Sequence, residues 1–345
     1  MKKIIENVFN ELNEDNDFSG VFSASDAGGV IFKHTAGYRN HAEQLPNMPD
    51  TVFAVASGTK SFTGLAICKL IHEGKLSLED KVWDLLTGRD LGKIDKRVTI
   101  HHLLTHTSGI GDYIDEEAED SDAQLEELYA KYPCYLWTNM DYYLQMTTPL
   151  PPKFEPGERY AYSNSGYVLL GLVTEAVSGI SYQQYVQDNI ISPCGLARTG
   201  FYRMDALPAN TALGYMEDED SGELRTNIFS VPIKGGSDGG IYTCAADMDK
   251  LWRAIFAGQI LSDAMLQTFL AQHVVIDEED GESYGLGVYR YNVDDKQAYF
   301  VVGGDNGVGF FSAYYPAAGI VVSALSNTGW INGTYDAISD ILEAI

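Results

Sequence analysis

The chain has 345 residues, 45% hydrophobic and 12% aromatic, with 23 Lys and Arg against 49 Asp and Glu and a formal net charge of −26. That length supports one large domain or two joined lobes around an ample core, and such patterning excludes a disordered chain. The charge repels phosphate backbones and anionic lipid surfaces, so nucleic-acid and membrane roles are disfavoured, and no apolar run nears the roughly 20 residues of a membrane helix.

Residues 1–20 open with two lysines, but Glu6, Asn7, Glu11 and Asn13 break any apolar leader. The segment reads as an amphipathic helix and the protein as cytoplasmic. Strands follow over residues 20–24 and 29–38, with a turn across 26–29. Apolar Phe62, Leu65, Ala66 and Ile67 predict a helix over 57–70, stopped near Gly74. Thr99 caps a short helix over 101–105. Further helices span 166–177, closed by Gly179, and 246–256, closed by Gly258. The last third returns to strands at 285–291, 298–302, 310–315 and 319–325, an antiparallel meander, and a helix over 335–345 ends the chain. The expectation is an α+β fold. One antiparallel sheet is built from both chain ends and flanked by helices (lobe about 1–65 and 240–345), with a mostly helical lobe (about 66–239) inserted. The joint between lobes is a favoured place for a pocket.

Cys68, Cys134, Cys194 and Cys244 are far apart and read as small buried hydrophobes rather than a disulfide framework or zinc site. Acidic stretches at 115–122, 217–220 and 277–280 read as solvated loops. Asp218, Asp220 and Gly222 match part of a calcium loop, but the remaining ligand positions are absent.

The first chemical signal is Ser57-Gly58-Thr59-Lys60 at a helix start. Residues three apart share a helix face, so the Lys60 amine can reach the Ser57 hydroxyl. Serine needs a neighbouring base. Burial and the positive end of the helix dipole disfavour an ammonium, which can make Lys60 that base. The Ser57 backbone N–H is one candidate oxyanion donor. The second signal is Tyr162-Ser163-Asn164, delivered by the 154–158 turn and anchored by the apolar helix after Gly166. A phenol beside an ammonium can lose its proton more easily and act as base and then acid, and the Asn164 carboxamide can hold Lys60 and a substrate carbonyl.

With these two boxes the chain resembles the serine β-lactamase/penicillin-binding protein family, in the branch of class C β-lactamases, D-alanyl-D-alanine carboxypeptidases and related esterases. Segment 98–109, ending His106-Thr107-Ser108-Gly109, and the Gly-rich segment 235–242 also match that family. The resemblance runs from about Val21 to the last helix and implies a single β-lactamase/transpeptidase-like domain. It implies Ser57 as acylated nucleophile, Lys60 as activating partner, Tyr162 as proton shuttle and Asn164 as positioning amide. The family's third box carries Lys-Thr-Gly or His-x-Gly on an edge strand. Here Val302-Gly303-Gly304-Asp305-Asn306 supplies neither Lys nor His, and Gly304, Asp305 and Asn306 become the candidate substrate-binding residues. Asp305 stands where a cation normally meets a substrate carboxylate, so an anionic substrate is disfavoured and a neutral or cationic ester or amide fits better. Asp305 either pairs with a substrate amine or caps loop backbone groups. A strand N–H near Asn306 is the second expected oxyanion donor.

His101, His102 and His106 lack the acid of an H-E-x-x-H site and read as hydrogen-bonded scaffold. No G-x-S-x-G elbow surrounds Ser163 or Ser165, and no P-loop lysine–serine pair follows the glycine run, which reads as close backbone packing beside the site. The expected function is a serine hydrolase acting on a small ester, amide or peptide-like substrate, without cofactor or metal. A β-lactamase or D-Ala-D-Ala carboxypeptidase is the alternative, and a binding protein with reduced turnover a second one.

Overall fold

Apolar strands from the two chain ends pair in one sheet, whose inner strands bury both faces. The computed structural model describes residues 1–14, 18–116, 121–218, 221–278, 281–293, 295–329 and 331–345. Eight antiparallel strands, β1 (Gly20–Asp26), β2 (Gly29–Ala36), β3 (Val274–Asp277), β4 (Glu282–Tyr284), β5 (Tyr289–Val293), β6 (Lys296–Asp305), β7 (Val308–Tyr315) and β8 (Ile320–Ser326), lie in the order β2-β1-β8-β7-β6-β5-β4-β3. Gly20 sits opposite Ser326 and Ser25 opposite Val321, so the first strand joins the last in mid-sheet. Phe22, Phe300, Phe311 and Ala324 turn to one side, where they pack with Ile5, Val8 and Phe9 of α1 (Lys2–Glu14). Val21, Val301, Phe310 and Leu325 turn to the other, larger core.

That second core centres on α2 (Thr59–His72), whose residues from Thr59 to Cys68 are all buried. Its buried polar side chains have partners: Thr59 donates to Ala56 O, Ser61 to Gly58 O and Thr63 to Ser237 O. Packed around it are α3 (Ile100–Leu104), α4 (Asn164–Ser178), α5 (Ala245–Phe256) and shorter helices, while α6 (Thr334–Ala344) covers the outer face beside α1. Thr99 caps α3 as expected, in a reciprocal pair with His102.

Several boundaries move. The expected strand over 29–38 stops at Ala36, because Gly37 takes φ +68° and Tyr38 starts a separate two-stranded pair. The strand expected over 285–291 begins only at Tyr289. Residues 285–288 turn instead, with Gly285 N–H donating to Val288 O and Leu286 N–H to Phe269 O. β3 and β4, too short to stand out in the sequence, continue the sheet beyond β5. Residues 117–120, 219–220 and 279–280 of the acidic stretches, Asp220 of the calcium-loop pattern among them, lie outside the described residues. Cys68, Cys134 and Cys244 are buried and Cys194 is half-buried, all free thiols.

The 285–288 turn presses on α2 at Gly64, where a Cβ would lie 2.0 Å from Leu286 O. Gly64→Ala is therefore expected to destabilise the protein by about 1–3 kcal/mol in urea unfolding. An unchanged midpoint would show that the turn yields without cost.

Candidate active site

Ser57 is set by a single 3₁₀ turn, Ala56–Gly58, that leads into α2. Ala56 is held at φ +42°, a left-handed conformation that costs an L-residue roughly 1–2 kcal/mol. Neighbouring bonds hold it there: Val55 N–H donates to Ile241 O, Gly58 N–H to Val55 O, and Gly240 N–H to Ala56 O. The bend leaves Ser57 half-exposed on a turn whose flanking residues are buried.

Lys60, 2% exposed, sits one turn along on the same face. Its ammonium donates three hydrogen bonds: to Ser57 Oγ at 2.9 Å, Asn164 Oδ1 at 2.7 Å and the Asp238 backbone O at 2.7 Å. A lysine ammonium has three donors, so all are used. The two oxygens besides Ser57 Oγ can only accept. When Lys60 loses a proton, its lone pair therefore falls to Ser57, the one partner with a hydrogen to give. Desolvation lowers the Lys60 pKa from its ordinary value, while Asp238 foremost, then Glu116, Asp112 and Asp305, pull it back up.

Tyr162 and Asn164 arrive on the entry to α4. Ser163 is its N-cap and accepts from Gly166 N–H, and the Asp112 carboxylate accepts from Asn164 N–H at 2.7 Å and Ser165 N–H at 2.9 Å. Three of the four orphan donors of the helix are thereby met. Asn164 reaches both ways, accepting from Lys60 and donating to Glu116 Oε1 at 3.0 Å. The Lys60 Nζ lies 4.8 Å from the Tyr162 ring centroid, and the phenol shares a hydrogen bond with Ser57. Desolvation first, and Glu116 next, push the phenol well above its ordinary pKa, with the Ser57 bond opposing. The easily ionised phenol expected beside an ammonium is thus not what the surroundings favour. Burial thus favours the protonated phenol of Tyr162 and the neutral amine of Lys60.

The histidines have separate partners. His106, also at positive φ (+56°), stacks on Tyr162 at 4.5 Å and accepts the Ser163 N–H on Nδ1. Desolvation and then Lys60 push its pKa well down, so it is neutral and steadies the Tyr162 loop. His102 Nδ1 takes the Thr99 N–H, and His101 contacts His273 at 3.1 Å.

β6 forms the opposite wall. It lies inside the sheet rather than at an edge, yet its pairing with β5 ends at Phe300, so residues 301–305 run past the end of β5. This projecting part faces the Ser57 turn: a Cβ on Gly303 would lie 2.2 Å from Val55 O and 2.9 Å from Ser57 N. Gly304, Asp305 and Asn306 all line a cleft of about 340 Å³ with Ser57, Asn164 and Asp238. The Asn306 N–H, though, donates to Asp305 Oδ1 at 2.8 Å. Asn306 is therefore a poor oxyanion donor, and Gly304 is the neighbouring cleft position that remains. Asp305 is pushed up to about 7, first by desolvation, with Asp238 and Glu116 adding to the rise.

The residues expected to act together do come together. Those missed are Asp112, Tyr113, Glu116 and Asp238, which supply the carbonyl for Lys60 and most of the charge around it. A faint signal existed: Asp238 interrupts a glycine run, and backbone there is close-packed, with a Gly235 Cβ falling 2.4 Å from Gly240 O.

Comparison with known proteins places this geometry. The model of the Beta-lactamase family matches residues 5–335. A penicillin-binding protein from Bacillus halodurans has a solved structure with TM-score 0.88 and 39% identity, covering 99% of this chain and 100% of that one. A D-stereospecific amidohydrolase from Streptomyces sp. follows with TM-score 0.83, 25% identity and 98% of each chain covered. A penicillin-binding protein of Bacillus subtilis (strain 168) is 30% identical over 307 residues, 86% of this chain. The chain spans only 64% of that relative's length and 62% of a second one from the same organism.

Asp238 is the foremost charge keeping Lys60 protonated. In Asp238→Asn, Lys60 is expected to lose its proton at lower pH. The acidic limb of kcat/KM for a neutral chromogenic ester then moves to lower pH, whereas an unmoved limb would remove Lys60 as the titrating base.

Proposed function

The chain belongs to the Beta-lactamase family, and on that premise we propose that it is a serine hydrolase cleaving ester or amide bonds through an acyl-enzyme on Ser57. The observation that carries this is the three-way hydrogen bonding of Lys60, in which only Ser57 can turn from acceptor to donor. Neutral Lys60 takes the Ser57 proton as Oγ bonds to the substrate carbonyl carbon. The Ser57 N–H and the Gly304 N–H receive the oxyanion, each donor of this kind contributing about 10²–10³ in rate. As the carbon–leaving-group bond breaks, the Tyr162 phenol gives its proton to the leaving group and is refilled from the Lys60 ammonium. Water then bonds to the acyl carbon as its proton passes to Lys60, and Lys60 returns that proton to Ser57 Oγ as the acyl–oxygen bond breaks and the acid leaves. Asn164 holds Lys60 throughout and, through Glu116, keeps its amide oriented.

A second reading, acylation by penicillins or peptides ending in D-Ala, has support in the names of the relatives. Against it stands the third box, where Asp305 replaces the cation that would meet a carboxylate.

Ser57→Ala is expected to lower turnover of a chromogenic ester by roughly 10⁴-fold or more, and Lys60→Ala by nearly as much, because members of one catalytic unit are not additive. Full activity in the Ser57 variant would take this serine out of the reaction. Mass analysis after exposure to a penicillin decides the second reading: a stoichiometric adduct on Ser57 supports it and an unmodified chain rejects it.

A further inference from the structure

The cleft holds more negative charge than its own chemistry uses. Asp238, Asp305 and Glu116 line it, and among its described lining residues there is no Lys, Arg or His. The one ammonium nearby, Lys60, is engaged by three oxygens, none of them on a carboxylate. Asp238 is 6% exposed. Its Oδ2 accepts the Tyr113 hydroxyl, but its Oδ1, equally buried, has no hydrogen-bond partner among the described residues. A buried carboxylate oxygen left unpaired is costly, and native proteins seldom leave one without a use. Asp305 spends Oδ1 on the Asn306 N–H next to it in sequence. Aromatic faces from Tyr129, Trp137, Tyr143 and Tyr242 surround these acids, and such faces also attract cations.

We propose that Asp238 and Asp305 form a subsite for a protonated amine, so that the preferred substrates are esters or amides bearing an ammonium group. This rests on the reading of the cleft as a hydrolase site and names its substrate class. Asp305, half-exposed in the cleft, accepts one N–H of the substrate ammonium, the buried Asp238 carboxylate beneath supplies the second charge, and aromatic side chains line the space around them. A metal ion fits less well, because no group of three His, Cys, Asp or Glu side chains converges among the described residues. The subsite also accounts for the lost third-box cation: the position that meets an anion in the family's usual box here meets the opposite charge.

The test uses two matched pairs of chromogenic substrates, phenylalanine p-nitroanilide against its N-acetyl form, and an aminoalkyl ester against the alkyl ester of equal length. Wild-type protein is expected to favour the charged member of at least one pair by tenfold or more in kcat/KM, a preference that shrinks with added salt. In Asp305→Asn and Asp238→Asn the ratio within each pair falls towards one, whatever happens to the absolute rates. Equal use of both members, or a preference that survives both substitutions, overturns the subsite and leaves the hydrolase reading intact. Should no substrate be turned over, the hydrolase reading fails, and calorimetry on the Ser57→Ala protein still decides the subsite. Benzylamine is then expected to bind at least tenfold tighter than benzyl alcohol and to lose that advantage in Asp305→Asn. Equal binding would mean that the two acids share a proton between themselves and hold no ligand.

Discussion

Lys60 gives every hydrogen it has to an oxygen, and only one of those oxygens can give a hydrogen back. In the proposed reaction that asymmetry is what makes an S-x-x-K tetrapeptide into a base and nucleophile. A solvated lysine three residues from a serine would stay charged, with an ordinary pKa near 10.4. Here the amine is buried, which disfavours the charge, and fixed acceptors decide where its lone pair falls. The surrounding carboxylates oppose burial and keep the proton from leaving too readily. The balance between these effects is what tunes the site.

The fold serves that contact by bringing distant pieces of chain to the amine. The chain ends meet between β1 and β8, which stacks β7 and β6 beside them. The part of β6 that outruns β5 then faces the Ser57 turn. From the other side, α4 presents its first turn, capped by Ser163 and Asp112, so that Tyr162 and Asn164 are rigid before substrate arrives. Two residues in left-handed conformations, Ala56 and His106, border this region. Backbone strain of this kind persists where surrounding bonds over-determine it, and here it aims the serine and steadies the phenol loop.

Much of this was legible because local rules wrote it. The three-residue spacing of Ser57 and Lys60 is helix geometry, the Thr99 cap is side-chain chemistry, and the strand alternation of the last third follows the sheet's period. Tertiary approach was not legible. The 285–288 turn reads as strand by composition, yet Gly287 takes φ +114° and the turn settles against α2 at Gly64. Asp238 reads as one acid in a glycine run, yet its carbonyl is a ligand of Lys60 and its side chain the foremost neighbouring charge. The second oxyanion donor was expected from the strand near Asn306, whose own N–H is taken up by the residue before it. Such outcomes depend on which atoms a folded chain brings within 3 Å, and no pattern in the chain itself encodes them.

The most direct test of the account is a pH titration of the lysine side chains followed by NMR, with carbon-13 at Cε and the Lys60→Met variant to assign the signal. The account predicts that Lys60 loses its proton at lower pH than the exposed lysines, in the free protein. A Lys60 signal that titrates with the surface lysines, or stays charged throughout, would contradict it and leave Ser57 without its base.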